Sequence, residues 1–401
     1  MRWLLGCLGL SVLLGCGPQV PAPRLAAAAT DFRALTAPHV ARPHTTNNRI
    51  ALHADRAAMP ALLAMLEGAR HSIWIETFEL HDDPAGRKIL DTLIAKHQAG
   101  VAVRVILDEI GNRAVKSSAV KVLEENGVPV LYYGPYPYRG KDGVGLNITH
   151  RKLYLVDGDR GMTGGMNLGD KYLEKAHDML WALEGEAAWA LHEEFAAEWS
   201  RGGGKPALQV PAAPVGAYGA EAVAIAVTSP RERGREDEIR QVLTRAIDEA
   251  KVRVDLAYPF FWDDDLLERL YAAERRGVRV RVVITKHGKA AMTRLNLYSA
   301  RQGMPRGIEF HWFEAAYAHI KYCAIDDGFL LIGSSNGDTL TFENNQELDL
   351  VLSNPATVAA FRRAVSDADW NATSPVTPED TKLGFVSRPV LGLLEWLDAY
   401  L

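Results

Sequence analysis

The chain has few cysteines, no surplus of basic residues and no apolar run of membrane-spanning length. Three cysteines in 401 residues cannot make a disulfide framework for a chain of this size. The net charge of −5 argues against binding nucleic acid mainly by bulk charge. The apolar run over residues 3–14 is shorter than the roughly 20 residues that cross a bilayer, and no other stretch is long enough. A hydrophobic fraction of 48% excludes a disordered chain.

The N-terminus is typical of an export signal. Arg2 precedes the short apolar run, which ends in Leu13-Leu14-Gly15-Cys16. This ending resembles the lipobox of bacterial lipoproteins, which implies a signal peptide over residues 1–15 and lipidation of Cys16. Gly17 replaces the Asp retention signal of some Gram-negative lipoproteins, so in such a cell we expect an outer-membrane anchor facing the periplasm. The alternative is an ordinary signal peptide with a chance Cys.

A Pro/Ala-rich stretch over residues 16–47 is interpreted as a tether. After it, the same order of helix and strand patterns occurs twice. Helical and strand-like periodicities alternate, which predicts an α/β fold. The order helix, strand, helix, strand occurs at 59–69, 71–78, 89–98 and 100–107, and again at 238–250, 252–258, 266–275 and 277–284. A Gly/Pro-rich stretch separates the copies. We therefore predict a first domain over 48–200, a linker over 201–217 and a second domain over 218–401.

Four residue types recur in the same register in both copies. The pattern is H-x-K-x4-D, then an Asn seventeen residues after the His, then an acid eleven residues further on. Its members are His150, Lys152, Asp157, Asn167 and Asp178 in the first copy, and His319, Lys321, Asp326, Asn336 and Glu347 in the second. A single H-x-K is a weak signal and could be a satisfied core histidine, but a matched pair in a duplication is a strong one.

The repeated motifs are similar to those of the phospholipase D superfamily, whose signature is two H-x-K-x4-D motifs, each followed by G-[GS]-x-N. The stretch over 75–134 resembles bacterial cardiolipin synthases. The resemblance implies a duplicated α/β/α sandwich, with two pseudo-twofold halves that share an active site at their interface. It also implies that His150 is the nucleophile and His319 the acid/base, without metal or cofactor.

The spacing agrees with phosphodiester chemistry. A His and a Lys two residues apart on a strand face the same side, whereas the motif Asp, seven residues from the His, faces away. We therefore interpret Asp157 and Asp326 as structural. Lys and Asn groups can hold non-bridging oxygens while one His forms a phosphohistidine and the other moves protons. An acid bonded to each imidazole would fix its tautomer, and Asp178 and Glu347, which match the family's acids, are the candidates.

A metal site is disfavoured, because protonated Lys is a poor ligand and neither H-E-x-x-H nor C-x-x-C is present. Aromatic loops at 135–138 and 258–262 either line a lipid pocket or anchor loops. We expect a lipid-anchored monomer that hydrolyses phospholipids or transfers phosphatidyl groups, with phospholipid and membrane as partners and no nucleic acid. The alternatives are a secreted nucleic-acid phosphodiesterase of the same superfamily and a non-enzymatic lipoprotein that uses the fold.

Overall fold

The structure is a computed structural model that describes residues 30–382 apart from short gaps at 43, 116, 135–137, 141–142, 146–147, 230–236 and 289. The predicted signal peptide, Cys16 and the first part of the predicted tether lie outside the described residues. Most of the aromatic loop at 135–138 lies outside them as well.

The first half is built on a seven-stranded sheet with the order β1-β9-β8-β7-β2-β3-β4. These strands are β1 Asn48–Ala54, β2 Ser72–Thr77, β3 Ala102–Asp108, β4 Val130–Tyr133, β7 Leu153–Val156, β8 Arg160–Gly164 and β9 Met179–Gly185. The strands β5 Tyr138–Gly140 and β6 Gly143–Gly145 form a separate hairpin. The helices of this half are α2 Ala58–Glu67, α3 Pro84–Gln98, α4 Glu109–Ala114, α5 Ala119–Glu125 and α6 Glu186–Arg201.

The second half is built on an eight-stranded sheet with the order β10-β16-β15-β14-β11-β12-β13-β17. These strands are β10 Val223–Thr228, β11 Arg253–Tyr258, β12 Arg279–Thr285, β13 Glu309–Phe313, β14 Tyr322–Ile325, β15 Phe329–Gly333, β16 Glu347–Leu352 and β17 Ser374–Pro375. The helices are α7 Glu238–Asp248, α8 Asp264–Arg275, α9 Ala290–Gly303, α10 Thr339–Glu343, α11 Pro355–Phe361 and α12 Asp367–Ala372. Short 3₁₀ and π-helical turns lie at Ala37–His39, Asp55–Ala57, Lys171–Lys175, Met304–Arg306 and Arg362–Ser366.

The two sheets share one strand order over seven positions, so the duplication predicted from the sequence is visible in the fold. In each half a central strand pairs in parallel with its neighbour on one side and antiparallel on the other: β2 with β3 and β7, and β11 with β12 and β14. The helices that follow these two strands, α3 and α8, are each preceded by an Asp whose side chain caps the helix N-terminus. Asp83 accepts the N–H of Gly86 at 2.9 Å and Asp263 accepts that of Leu266 at 2.8 Å.

Alternate residues of the central strands enter different cores, as the two-residue period of a strand requires. In β7, Leu153 and Leu155 join a core that also contains residues of the second half, while Tyr154 and Val156 pack on α2 and α3. The shared core includes α6 of the first half and α11 of the second. The halves are therefore joined by buried apolar surface, and Cys323, a buried free thiol, belongs to the outer core of the second half.

Before it forms the first strand of the first half, the chain makes contacts with the second half. The helix α1 Phe32–Thr36 belongs to the stretch interpreted as a tether, and Phe32 is 2% exposed, with its ring centroid 5.5 Å from that of Phe329. Thr45 then exchanges backbone hydrogen bonds with Val223 at 2.9 and 3.0 Å before β1 begins. The described part of residues 30–47 thus contacts both halves, since Arg42 also pairs with Glu193 and Glu194 of α6 in the first half. Among the described residues, no helix has the length and hydrophobicity needed to cross a bilayer.

Candidate active site

His150 lies at the interface of the halves, immediately before β7. Its backbone N–H donates to the carbonyl of Gln346 at 2.8 Å. Its ring Nδ1 lies 3.0 Å from Oε1 of Glu347, the first residue of β16, and 3.1 Å from the carbonyl oxygen of Ser334. The imidazole of the first half is therefore oriented by acceptors of the second half.

His319 has the reciprocal environment before β14. Its backbone N–H donates to the carbonyl of His177 at 2.8 Å, and its Nδ1 lies 2.7 Å from Oδ2 of Asp178. Asp178 precedes β9 of the first half, so the two halves exchange carboxylates. The sequence places both acids near the site but does not reveal this exchange.

Lys152 and Lys321 are buried beside the imidazoles. Each ammonium donates to the backbone carbonyl of its own motif histidine, at 2.6 Å for Lys321 and His319. Burial lowers the pKa of Lys152 to about 7 and that of Lys321 to about 8, although the nearby carboxylates oppose this shift. Two cations with weakened proton affinity therefore lie next to the imidazoles, where an arriving anion would stabilise their charged forms.

The strand geometry assumed for the motifs needs correction. Strands β7 and β14 begin at Leu153 and Tyr322, so each H-x-K segment precedes its strand. The reason is that the backbone of these segments bonds to the opposite half, as at His150 and His319, rather than to a neighbouring strand of its own sheet.

Burial lowers the pKa of both histidines well below its usual value, and the two lysine charges lower it further. Burial also raises the pKa of the Asp178 and Glu347 carboxyls to about 7, against the opposing charges of the lysines. The site without substrate thus favours neutral imidazoles. A bound anion would shift these equilibria toward protonation.

The two motif asparagines differ in their surroundings. Asn167 lines the cavity described below, and its Oδ1 accepts from the Thr77 hydroxyl and from the Glu79 N–H, each at 3.4 Å. Asn336 is buried and its N–H donates to the Thr341 hydroxyl at 3.2 Å, while its Oδ1 has no hydrogen-bond partner among the described residues. Both amides lie in the loop that follows the strand after the motif strand.

A cavity of about 280 Å³ opens between the halves, and both motif histidines face it. Its lining consists of Phe78, Glu79, His150, Asn167, Lys171, Tyr172, Phe260, His287, Gly288, Tyr317 and His319. The lysines and Asn336 are buried next to this space. Of the aromatic loop at 258–262, Phe260 lines the cavity, whereas Tyr258 and Phe261 belong to the core of the second half.

Asp157 and Asp326 lie away from the cavity, in turns that follow β7 and β14. Each has a positive φ, 56° and 46°, which Asp tolerates better than most residues. Asp157 accepts the backbone N–H groups at positions 70–72, and Asp326 accepts those at positions 251–253. Both carboxylates thus hold the start of the central strand of their sheet.

No group of His, Cys, Asp and Glu within the described part of the chain has a metal-holding arrangement. The titratable groups at the cavity are instead paired with one another, imidazole with carboxylate. Such an arrangement can accept an anion, present one unprotonated ring nitrogen and move protons.

Comparisons with known proteins point to one family. A family model described as cardiolipin synthase, PLD-like domain, matches residues 62–199 and 243–370, and these two ranges contain both motifs. Cardiolipin synthase A of Pseudomonas entomophila is 28% identical over 352 residues, which cover 85% of this chain and 72% of that protein. Cardiolipin synthase 2 of Bacillus anthracis is 28% identical over 307 residues, and the match spans only 59% of its length.

Among solved structures, the chain is similar to the phosphatidylserine synthase of Haemophilus influenzae. The TM-score is 0.65 at 13% identity, over 92% of this chain and 98% of the other. At such low identity, the likeness shows that the fold is shared. The duplicated α/β architecture therefore agrees both with the family match and with a known structure.

Proposed function

Because the chain belongs to the family of cardiolipin synthase, PLD-like domains, we propose that it is a phospholipid phosphodiesterase and phosphatidyltransferase that works through a phosphohistidine. The observation that carries this proposal is the pair His150 and His319 at one cavity, each bonded through Nδ1 to a carboxylate of the opposite half. A carboxylate at Nδ1 fixes the tautomer in which Nε2 is available to the reactants.

In the first step, Nε2 of His150 attacks phosphorus. A P–N bond forms as the P–O bond to the leaving alcohol breaks, and His319 gives its Nε2 proton to the departing oxygen. Burial and the lysine charges lower the pKa of His150, which keeps the attacking ring neutral. The pKa of His319 is also low before substrate binds, but the charge of a bound phosphodiester raises it, so that His319 gains its proton as the substrate arrives.

In the second step, an incoming hydroxyl reverses this chemistry. Its oxygen forms a bond to phosphorus while the P–N bond breaks, and its proton passes to His319. Water as acceptor gives phosphatidic acid, whereas the hydroxyl of a second lipid gives a new phospholipid. We favour transfer of the cardiolipin synthase type, which the names of the relatives support.

Negative charge on phosphorus is stabilised by groups contributed by both halves. Lys152 and Lys321 place two ammonium charges behind the imidazoles, where burial strengthens their effect because little water screens them. The Asn167 amide lines the cavity and can donate to a non-bridging oxygen. We assign the same role to Asn336 on the opposite side.

The proposal is tested with purified full-length protein and vesicles of labelled phosphatidylglycerol. We expect phosphatidic acid or cardiolipin as product, and none from a His150→Ala variant. The absence of both products under conditions in which a reference phospholipase D works would refute the proposal.

A second substrate distinguishes the two histidines. A phosphatidyl ester of p-nitrophenol releases its phenolate without needing a proton, so the general acid is dispensable in the first step. We expect His319→Ala to release one equivalent of nitrophenolate and retain the phosphatidyl group, and His150→Ala to release none. The reverse result would exchange the roles of the histidines.

We further propose that the protein is lipid-anchored through Cys16, on the outer membrane in a Gram-negative cell, and that a monomer is active. The support for the anchor is the lipobox-like ending of the N-terminal apolar run, and that for the monomer is the presence of both motifs in one chain. Metabolic labelling with palmitate should mark the wild type and fail with Cys16→Ala. Light scattering of the active protein tests the monomer.

A further inference from the structure

The two halves contribute equivalent reacting groups, but the cavity walls that they contribute are different. Glu79 lies two residues after the end of β2, and Phe260 lies two residues after the end of β11. Lys171 lies four residues after Asn167, where the second half has Leu340 four residues after Asn336. The first half therefore contributes charged groups at positions where the second half contributes apolar ones.

The wall of the first half is a connected polar cluster. The Tyr172 hydroxyl donates to Oε2 of Glu79 at 2.9 Å, and the same oxygen lies 2.9 Å from Nε2 of His81. Burial raises the pKa of Glu79, but these hydrogen bonds outweigh it and the net shift is downward, so the carboxylate is ionised. The Lys171 ammonium lies 4.8 Å from the ring centroid of Tyr172 and equally far from that of Tyr317, which the second half contributes.

This cluster borders one histidine more closely than the other. The rings of Tyr172 and Tyr317 lie 5.0 and 5.4 Å from that of His319, centroid to centroid. The ring of His150 instead lies beside that of Phe78, with 5.4 Å between their centroids. This cluster therefore adjoins the imidazole that, in the proposed function, protonates the leaving alcohol and deprotonates the acceptor.

Around Phe260 the opposite wall is apolar, although His287 and Gly288 also line this side of the cavity. Phe260 lines the cavity and packs on a small cluster around Trp262 and Leu295, which also contacts Leu340. Such a surface provides neither charge nor hydrogen bonds to a head group. It suits the glyceride part of a phospholipid, whose burial there removes apolar surface from water.

Resting on the proposed function, we propose that Glu79, Lys171, Tyr172 and Tyr317, termed the polar wall, bind the leaving or accepting alcohol beside His319 and select against cationic head groups. An uncharged hydroxylated alcohol can accept from Lys171 and donate to the Glu79 carboxylate. A trimethylammonium group has no hydrogen to donate to Glu79, and the charge of Lys171 offsets the attraction of that ionised carboxylate for a cation. Lys171 is thus the specificity-determining residue.

The test uses full-length protein and vesicles with equal amounts of phosphatidylglycerol and phosphatidylcholine that carry different labels in their head groups. The ratio of released glycerol to released choline is measured in one vial, together with total turnover. We expect the wild type to prefer glycerol. Lys171→Leu, which installs the residue of the second half, should raise the choline share about five- to tenfold, and Lys171→Glu should raise it further.

Two controls make the result specific. Lys171→Arg keeps the charge and should keep the preference, and Lys175→Leu removes an exposed lysine of the same turn that does not line the cavity. An unchanged ratio in Lys171→Leu and Lys171→Glu, with turnover present, would overturn this inference and leave the proposed function intact. Turnover of neither lipid by the wild type would overturn the proposed function and this inference with it.

Discussion

Oε1 of Glu347 lies 3.0 Å from Nδ1 of His150, although the two residues belong to different halves of the chain. Asp178 and His319 form the same contact at 2.7 Å with the halves reversed. Each half therefore supplies an imidazole to the cavity and orients the imidazole of the other. The arrangement of the candidate site depends on the interface as much as on the motifs.

Removing the charge of either orienting acid should impair chemistry. We expect Asp178→Asn and Glu347→Gln each to lower kcat by about 10²- to 10⁴-fold with little change in KM, because the amide no longer enforces one imidazole tautomer or stabilises the imidazolium. Steady-state kinetics on phosphatidylglycerol measure this. Asp349→Asn is the matched control, since this buried carboxylate on β16 bonds to Ser335 instead of an imidazole. Losses below tenfold in both variants would contradict the assigned roles.

Anion binding should take up protons. The pKa of Lys321 is about 8 and that of Lys152 about 7 because both are buried, so a fraction of each is neutral near pH 7.5. A bound anion raises both values, which leads to an uptake of up to about one proton by the lysines, in addition to the proton that His319 gains in the proposed function. Affinity should therefore rise as the pH falls from 9 to 7. Calorimetric titration with tungstate in buffers of different ionisation enthalpy measures the uptake.

The lysine variants provide the control for this measurement. Lys152→Met should reduce the uptake, because one of the groups that gain a proton is removed. Zero uptake by the wild type at pH 7.5 would contradict both the lowered pKa values of the lysines and the protonation of His319 on anion binding.

The motif aspartates should affect stability rather than catalysis. We expect Asp157→Asn and Asp326→Asn each to lower the free energy of unfolding by about 1–2 kcal/mol. The neutral amide oxygen accepts the backbone N–H groups more weakly than the carboxylate does, while Asn still tolerates the positive φ. Burial raises the pKa of Asp157, but the backbone hydrogen bonds lower it more. Its contribution is therefore present above the unfolded pKa near 3.9 and is lost as the pH falls through the lower folded value.

Thermal unfolding measures this effect between pH 3 and pH 7, and kinetics below the melting temperature measure the activity. Unchanged kcat with a lower Tm is the expected combination. A loss of kcat comparable to that of Asp178→Asn would place the motif aspartates in the chemistry.

His177 should stabilise the interface in a pH-dependent way. Its Nδ1 lies 2.9 Å from Asp55 of the first half and its Nε2 lies 3.2 Å from Asp369 of the second. Burial lowers its pKa, but the two carboxylates outweigh this and raise it to about 10. The stabilisation is thus complete below the unfolded pKa near 6.5 and is lost as the pH rises through about 10.

His177→Gln tests this, since the second half has Gln346 at the equivalent position. The difference in Tm between wild type and variant should be largest at pH 6 and shrink toward pH 10. His71→Gln, at an exposed position, serves as control. A difference that is constant across this range would mean that His177 acts through packing on Phe313 rather than through charge.

The sequence revealed those features of the site that both copies repeat. His150 and His319 could be paired because duplication preserved their register. The helix and strand periods placed the eight elements that were assigned from them within about five residues of their observed bounds. The exchange of Asp178 and Glu347 could not be predicted, because spacing along a chain does not tell which side of an interface a side chain reaches.

The polar wall was missed for a related reason. Comparing two copies selects what they share, and Glu79 and Lys171 have apolar counterparts in the second half. The available signal was proximity to the motifs, since Tyr317 lies two residues before His319 and Lys171 lies four residues after Asn167. Proximity alone does not tell a cavity-lining side chain from an ordinary surface residue.

The exchange of carboxylates also constrains how such a gene can change. After an ordinary duplication, one copy is free to decay while the other keeps working. Here the loss of either copy removes one histidine together with the acid that orients the other histidine. Because of Glu347 and Asp178, neither copy keeps an oriented histidine without the other. We therefore expect related chains to vary at positions such as Lys171 and Leu340 but to keep both halves.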